Sequence, residues 1–174
     1  MTYFHSFFAS PVGNWTLIAS DAGLRAVLPP TDSSGRVPLP PNMEDGEHPI
    51  LHETIAQLSK YFDGELQEFS LPIDLSGTPF QLQVWQELQN IPFGETCSYG
   101  MLAQRIDSPA AVRAVGAANG RNPISIVVPC HRVIGANGDL TGYAGGFPCK
   151  HWLLNFEKQQ NPQSTLQAQL ALFD

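Results

Sequence analysis

Three runs rich in β-formers, TYFHSFFAS at 2–10, NWTLIAS at 14–20 and LRAVLP at 24–29, are separated only by the turn signals PVG and DAG. Turns that short can only join neighbouring strands antiparallel, because a parallel return needs a crossover of roughly a dozen residues. The chain therefore opens as a small antiparallel sheet. The stretch TDSSGRVPLPPNMEDGEHPI, residues 31–50, is crowded with Pro, Gly, Ser and acids and reads as a loop. In HETIAQLSKYF the apolar Ile55, Leu58, Tyr61 and Phe62 fall at helical spacing, and Asp63-Gly64 ends the run. Nothing in this first unit points to a chemistry.

The second unit opens on stronger local signals. In GTPFQLQVWQEL, Thr78 can cap a helix, Pro79 suits its first position and Gln81 completes the capping-box spacing. Phe80, Val84, Trp85 and Leu88 then form its buried stripe. A second helix is expected from Ser98 to Ile106, and Ser108 is expected to cap a third running through AAVRAVGAAN. Two short helices joined so tightly suggest a helix-turn-helix. The small residues Ala110, Ala111, Ala114, Gly116, Ala117 and Ala118 permit close approach of another backbone. Ala-rich short helices also serve as plain core packing, and the pattern alone leaves both readings open.

Charge separates the two units. The net charge of −7 lies entirely in residues 1–76, where three basic side chains meet ten acidic ones; residues 77–174 hold six of each. Residues 98–132 carry Arg105, Arg113, Arg121 and Arg132 against Asp107 alone, so a phosphate-bearing partner would meet this stretch and avoid the acidic half. A solvated helical face would look the same. No apolar run approaches the roughly 18 residues of a membrane span, and no secretory leader pattern opens the chain, so the expected address is the cytoplasm. The cysteines Cys97, Cys130 and Cys149 form no CxxC pair, which argues against a disulfide framework and against structural zinc. No metal and no cofactor are expected.

VVPCHRVIG, residues 127–135, places Cys130 between a proline and a histidine at the end of an apolar run. ISIVV reads as a buried strand stopped by Pro129, so the thiol is expected where the chain leaves the sheet. His131 and Arg132 adjoin it and could stabilise a thiolate. In an extended strand His131 would point to the opposite face, so a catalytic pair requires a turn or a bridging water. A buried inert cysteine is the competing reading.

PCHRVIG at 129–135, RNP at 121–123, RAVGAAN at 113–119, TGYAGG at 141–146 and KHWLLNFE at 150–157 together resemble the O6-alkylguanine-DNA alkyltransferases, most closely the bacterial methylated-DNA–protein-cysteine methyltransferases. Five ordered blocks over about residues 78–158 are far more specific than any single motif. The resemblance implies an α/β fold of the α+β kind. A small N-terminal ribonuclease H-like α/β domain would span 1–76, a C-terminal winged helix-turn-helix-like alkyltransferase domain 77–158, and a tail 159–174. The implied activity is DNA repair by direct damage reversal: irreversible transfer of the alkyl group from O6-alkylguanine, with O4-alkylthymine a further candidate, to Cys130. A thioether offers no hydrolysable bond, so each molecule would act once.

The resemblance also implies roles. Cys130 would be the alkyl acceptor, which requires an exposed sulfur; His131 would take its proton through a water, and Glu157 would orient His131. Asn122 would tie the recognition helix to the cysteine loop. The target atom lies inside a base pair, so the nucleotide must be flipped out of double-stranded DNA, approached from the minor groove. Arg113 would fill the vacated place, and Tyr99 would crowd the phosphate and donate to the departing base. Ala114, Gly116, Ala117 and Arg121 would complete the DNA face. Val133, Tyr143 and Ala144 would line the base pocket; Ser stands in some members where this chain has Ala144, and the added room would tolerate larger alkyl groups.

The chain ends in QLALF at 169–173, which resembles the motif that docks bacterial proteins on the replicative sliding clamp, through Gln169, Leu170, Leu172 and Phe173. The competing reading is a packed terminal helix. The protein is otherwise expected to be a monomer without membrane contact. A damage sensor of the same fold that transfers nothing is the main alternative function, although such relatives replace the acceptor cysteine, which PCHR retains. A cysteine hydrolase would turn over repeatedly, and a plain helix-turn-helix regulator would not need Cys130, His131 and Glu157.

Overall fold

The structure is a computed structural model that describes residues 1–32, 35–139 and 143–161. Strands β1 (Tyr3–Ser10), β2 (Gly13–Ser20) and β3 (Gly23–Leu28) form the antiparallel meander that the short turns dictate. The loop expected over 31–50 is not wholly irregular: Met43–Asp45 forms β4, which runs parallel to β1 and completes the sheet in the order β3-β2-β1-β4. Parallel pairing is possible because the long connection provides the crossover. It also covers one sheet face, where Val37 and Met43 pack on Ile18, Ala26 and Leu28. Helix α1 (Pro49–Phe62) closes the other face with Leu51, Leu58 and Tyr61.

The capping box of α2 (Pro79–Leu88) forms as its sequence requires: Thr78 accepts from the Gln81 amide, and the Gln81 side chain accepts from the Thr78 amide. Val84, Trp85 and Leu88 are buried, while Phe80 is half-buried. Ser98 caps α3 (Tyr99–Arg105). Ser108, however, does not cap the next helix. The α3 C-terminus closes with Asp107 N–H donating to Gln104 O, Ser108 N–H donating to Ala103 O, and Asp107 at φ 57, which is the Schellman arrangement. The Ser108 hydroxyl turns back and donates to Ile106 O at 3.4 Å, Ala111 N–H donates to Ser108 O to close a turn over 108–111, and α4 (Val112–Gly120) starts from Ala111 without a side-chain cap.

ISIVV is not a strand. Only Ile124 meets a sheet, as an isolated bridge to Val27. Ile126 then turns at φ 69, and Val128 N–H donates back to Ile124 O. A β-branched residue in the left-handed region is strained and persists only where its surroundings enforce it. Asn122 does so: its Nδ2 donates to Val128 O at 2.7 Å, and its Oδ1 accepts from Ile124 N–H at 3.0 Å. The apolar run is buried all the same, but by packing rather than by a second sheet neighbour.

The free edge of β3 holds later segments of both halves in register. Leu24 N–H donates to Pro72 O and Leu24 O accepts from Asp74 N–H within the first half; Val27 N–H donates to Pro123 O and Val27 O accepts from Ser125 N–H across the two halves. One buried cluster runs through both halves, from Trp15, Leu17 and Leu58 to Trp85, Leu102 and Leu153. The small parallel pair β5 (Cys97–Ser98) and β6 (Val133–Ile134) sets the start of α3 beside the chain leaving the cysteine. Helix α5 (Phe147–Gln160) ends the described chain.

Candidate active site

Cys130 opens a single 3-10 turn, Cys130–Arg132, rather than a strand end. Near 120° separates successive side chains in such a turn, so His131 and Arg132 can share one partner although they are neighbours in sequence. That partner is Glu157 on α5. Its Oε1 accepts from His131 Nε2 at 2.7 Å, from Arg132 Nη2 at 2.9 Å and from the Tyr61 hydroxyl at 2.7 Å; its Oε2 accepts from Arg132 Nε at 2.9 Å and from Gly94 N–H at 3.4 Å. All four side chains are buried.

Burial by itself would raise the Glu157 pKa, but the charges and hydrogen bonds of His131 and Arg132 reverse this and hold it well below the usual carboxylate range. Arg132 carries that result at neutral pH, since its charge is permanent. Burial pushes the His131 pKa down, Glu157 restores only part, and Arg132 and Lys150 add to the lowering. His131 is therefore a neutral imidazole at pH 7. A carboxylate only accepts, so Nε2 carries the ring hydrogen and Nδ1 keeps its lone pair. That Nδ1 is buried with no protein partner.

The Cys130 sulfur is not exposed, as an acceptor was expected to be: the residue is 4% accessible. Burial pushes its pKa up, and a hydrogen bond with Asn122 and the charges of Arg36 and Lys150 offset this only in part. Arg132 does not serve the thiol, because its guanidinium is committed to Glu157 and to the Ile91 carbonyl. The resting group is a thiol, which needs a base before it can act as a nucleophile. Lys150, expected only as part of a motif, is buried with Nζ on Val133 O at 2.5 Å, and burial brings its pKa down to about 8.

Asn122 sits where α4 ends and clamps the loop before Cys130, as the contacts to Ile124 and Val128 describe. Asn119, which sequence reasoning missed, reaches from α4 itself to Cys130 O at 3.4 Å. Tyr99, half-buried, lies beside Gly116 of α4, where an added Cβ would stand 3.8 Å from the ring. Arg113, Ala114, Ala117 and Arg121 are exposed on or just beyond α4. Arg132 does not belong to the basic face on which sequence reasoning counted it. Val133 is fully buried, Tyr143 and Ala144 are half-buried, and the Tyr143 hydroxyl is enclosed with no partner of hydrogen-bond geometry. Gln169, Leu170, Leu172 and Phe173 lie outside the described residues.

Arg36 was likewise invisible in sequence. From the loop after β3 its Nη1 donates to Gly120 O and Asn122 O, at 3.1 and 2.8 Å, while Nε pairs with Asp32. Among the described residues no three His, Cys, Asp or Glu side chains converge as a metal site would need, and no helix is long and apolar enough to cross a membrane.

Residues 3–75 match the ribonuclease-like domain of 6-O-methylguanine DNA methyltransferase, and residues 79–159 match the DNA binding domain of the same family. A methylated-DNA–protein-cysteine methyltransferase of Mycolicibacterium paratuberculosis is 57% identical over 120 residues, 69% of this chain and 70% of the relative. One from Methanosarcina acetivorans is 45% identical over 88% of this chain and 97% of its own. The crystal structure of Mycobacterium tuberculosis OGT in complex with DNA superposes with a TM-score of 0.81 at 43% identity, covering 100% of both chains.

Proposed function

The chain belongs to the O6-methylguanine DNA methyltransferase family, and on that premise we propose how its own residues carry the reaction. It is a methylated-DNA–protein-cysteine methyltransferase that binds DNA and repairs it by moving an alkyl group from the damaged base to the protein. Cys130 is the acceptor. The tautomer of His131 carries this reading: with Nε2 donating to Glu157, the ring nitrogen left to accept a proton is Nδ1. His131 takes the thiol proton through a water. The sulfur then attacks the alkyl carbon in line; an S–C bond forms, the C–O6 bond breaks, and the leaving guanine takes a proton from Tyr99; solvent takes up the proton held by His131 and restores that of Tyr99, so the net proton moves from thiol to base.

The buried sulfur is reached only by a base taken out of the duplex, which suits a flipped nucleotide entering between Val133, Tyr143 and Ala144. Exposed Ala114 and Ala117, with Gly116 between them, let α4 enter a minor groove too narrow for bulkier helices, with Arg113 filling the gap and Arg121 on a phosphate. The protein acts as a monomer, and Gln169, Leu170, Leu172 and Phe173 dock it on a sliding clamp. Removing residues 169–174 is expected to abolish retention by the clamp and leave repair of free duplex intact; lost repair would point to a packed tail.

Intact mass after mixing with a duplex containing one O6-methylguanine tests the central assignment. The expected result is a gain of one methylene equivalent, one per molecule at most, absent in Cys130→Ala. Binding without mass gain would mean a damage sensor, and gain in the variant would remove Cys130 as acceptor.

A further inference from the structure

The N-terminal unit supplies a side chain to the buried carboxylate that orients the base. Tyr61, on α1, stands 96 residues from Glu157 in sequence, and its hydroxyl donates to Oε1 at 2.7 Å, the same oxygen that accepts from His131. Its ring is fully buried, edge-on to Phe62 at 5.1 Å, Phe93 at 5.9 Å and Phe156 at 5.6 Å, and tilted against Phe69 at 5.6 Å. Phe93 in turn stacks under the Arg132 guanidinium. We infer that Tyr61 is a positioning residue for alkyl transfer: its hydroxyl holds Glu157 in place and, by sharing Oε1, keeps that oxygen from drawing a proton onto His131. This deepens the proposed function and rests on Cys130 as acceptor and His131 as its base.

Several observations give the hydrogen bond this sense. Burial, and then the charge of Glu157, raise the Tyr61 pKa well above its ordinary value, so the hydroxyl is a permanent donor and never a competing acid. A donor on a carboxylate spreads its charge, so a neighbouring imidazolium is stabilised less. The titratable and charged groups facing this centre are Tyr61 from α1, Arg36 from the loop after β3, Cys130, His131 and Arg132 from the cysteine turn, Lys150 and Glu157 from α5, and Tyr143 from the preceding loop. Tyr61 and Arg36 come from the ribonuclease-like unit, and of the two it is Tyr61 that bonds Glu157. Removing its oxygen leaves Oε1 to His131 and Arg132, so His131 should hold a proton to higher pH and lose its capacity as a base there.

The test is single-turnover transfer from an O6-methylguanine duplex between about pH 5 and about pH 9, with duplex affinity measured alongside, for the wild type, Tyr61→Phe and Phe69→Leu. Tyr61→Phe keeps the ring, and Phe69→Leu disturbs the same packing without touching the hydroxyl. The expected result for Tyr61→Phe is a transfer rate about tenfold lower near pH 6, unchanged duplex affinity, and an acid limb displaced to higher pH; Phe69→Leu should leave that limb in place. A wild-type rate and limb in Tyr61→Phe would overturn the inference. So would a loss equal at every pH that merely tracks a lowered melting temperature, as in Phe69→Leu. Failure of the wild type itself to transfer, or transfer by Cys130→Ala, is read in different samples and would remove the proposed function together with this step.

Discussion

At the scale of single residues, Glu157 accepts from His131, Arg132, Tyr61 and Gly94, and these neighbours explain why no substitution is mild. Glu157→Gln keeps the shape but leaves the Arg132 guanidinium buried without a counter-charge, and removing one partner of a buried pair costs about 3–5 kcal/mol. Urea unfolding at pH 7 should show that loss, with transfer abolished. The pH dependence follows from the same geometry. His131 is lowered, so the unfolded chain takes up its proton first as pH falls below about 6.5, and stability declines from there. Glu157 is lowered as an acid, so its contribution is complete above the unfolded value of about 4.3 and is lost as pH falls below that. Both act in one direction. Unfolding free energies measured from neutral pH downward should fall in two stages, and Glu157→Gln should lack the lower one.

At the scale of elements, α2 and α4 are joined by one indole. Trp85 is buried and its Nε1–H donates to Ala118 O at 2.8 Å, so the helix that would face DNA hangs on a side chain of the helix behind it. Gly77, just before the cap of α2, makes room for that ring; an added Cβ would come within 2.7 Å of it. Gly77→Ala should therefore destabilise by about 1–3 kcal/mol, the range for overpacking, and a shift in the tryptophan fluorescence of the folded state should accompany it. The capping box of α2 was legible because all its parts lie within four residues. The start of α4 was not, because the Ser108 hydroxyl bonds back to Ile106 at the end of α3 and the helix begins three residues later than the cap preference suggests, a competition that residue preferences at one helix start do not reveal.

At the scale of the whole molecule, the N-terminal sheet acts as a brace for the loop that carries the nucleophile. β3 bonds Pro123 and Ser125 on either side of Ile124, and Arg36 bonds the carbonyls of Gly120 and Asn122. Between them lies Asn122, whose side chain forms the turn leading to Cys130. Arg36→Ala would leave two inward carbonyls without their donor, a cost of about 1.5–3 kcal/mol for bonds to a charged group. Thermal melts should show the loss, and single-turnover assays at a temperature where the variant is folded should show slower transfer with little change in duplex affinity.

The amino-acid sequence by itself determined the meander, the capped helices, the acidic and neutral halves, and the identity of Cys130, His131 and Glu157 as candidates. The meander and the capped helices rest on turn length, periodicity and capping, and the two halves on composition, all short-range causes; the three candidates rest on the family resemblance of five ordered blocks. Only the tertiary structure decided that ISIVV turns instead of extending, that Arg132 faces inward, that the thiol is enclosed, and that Tyr61 and Gly94 reach the same carboxylate. The ISIVV turn depends on the buried Asn122 side chain bonding Ile124 and Val128, which residue periodicity does not register; the other three depend on groups as far as 96 residues apart in sequence, and local residue pattern carries no record of which distant groups will meet.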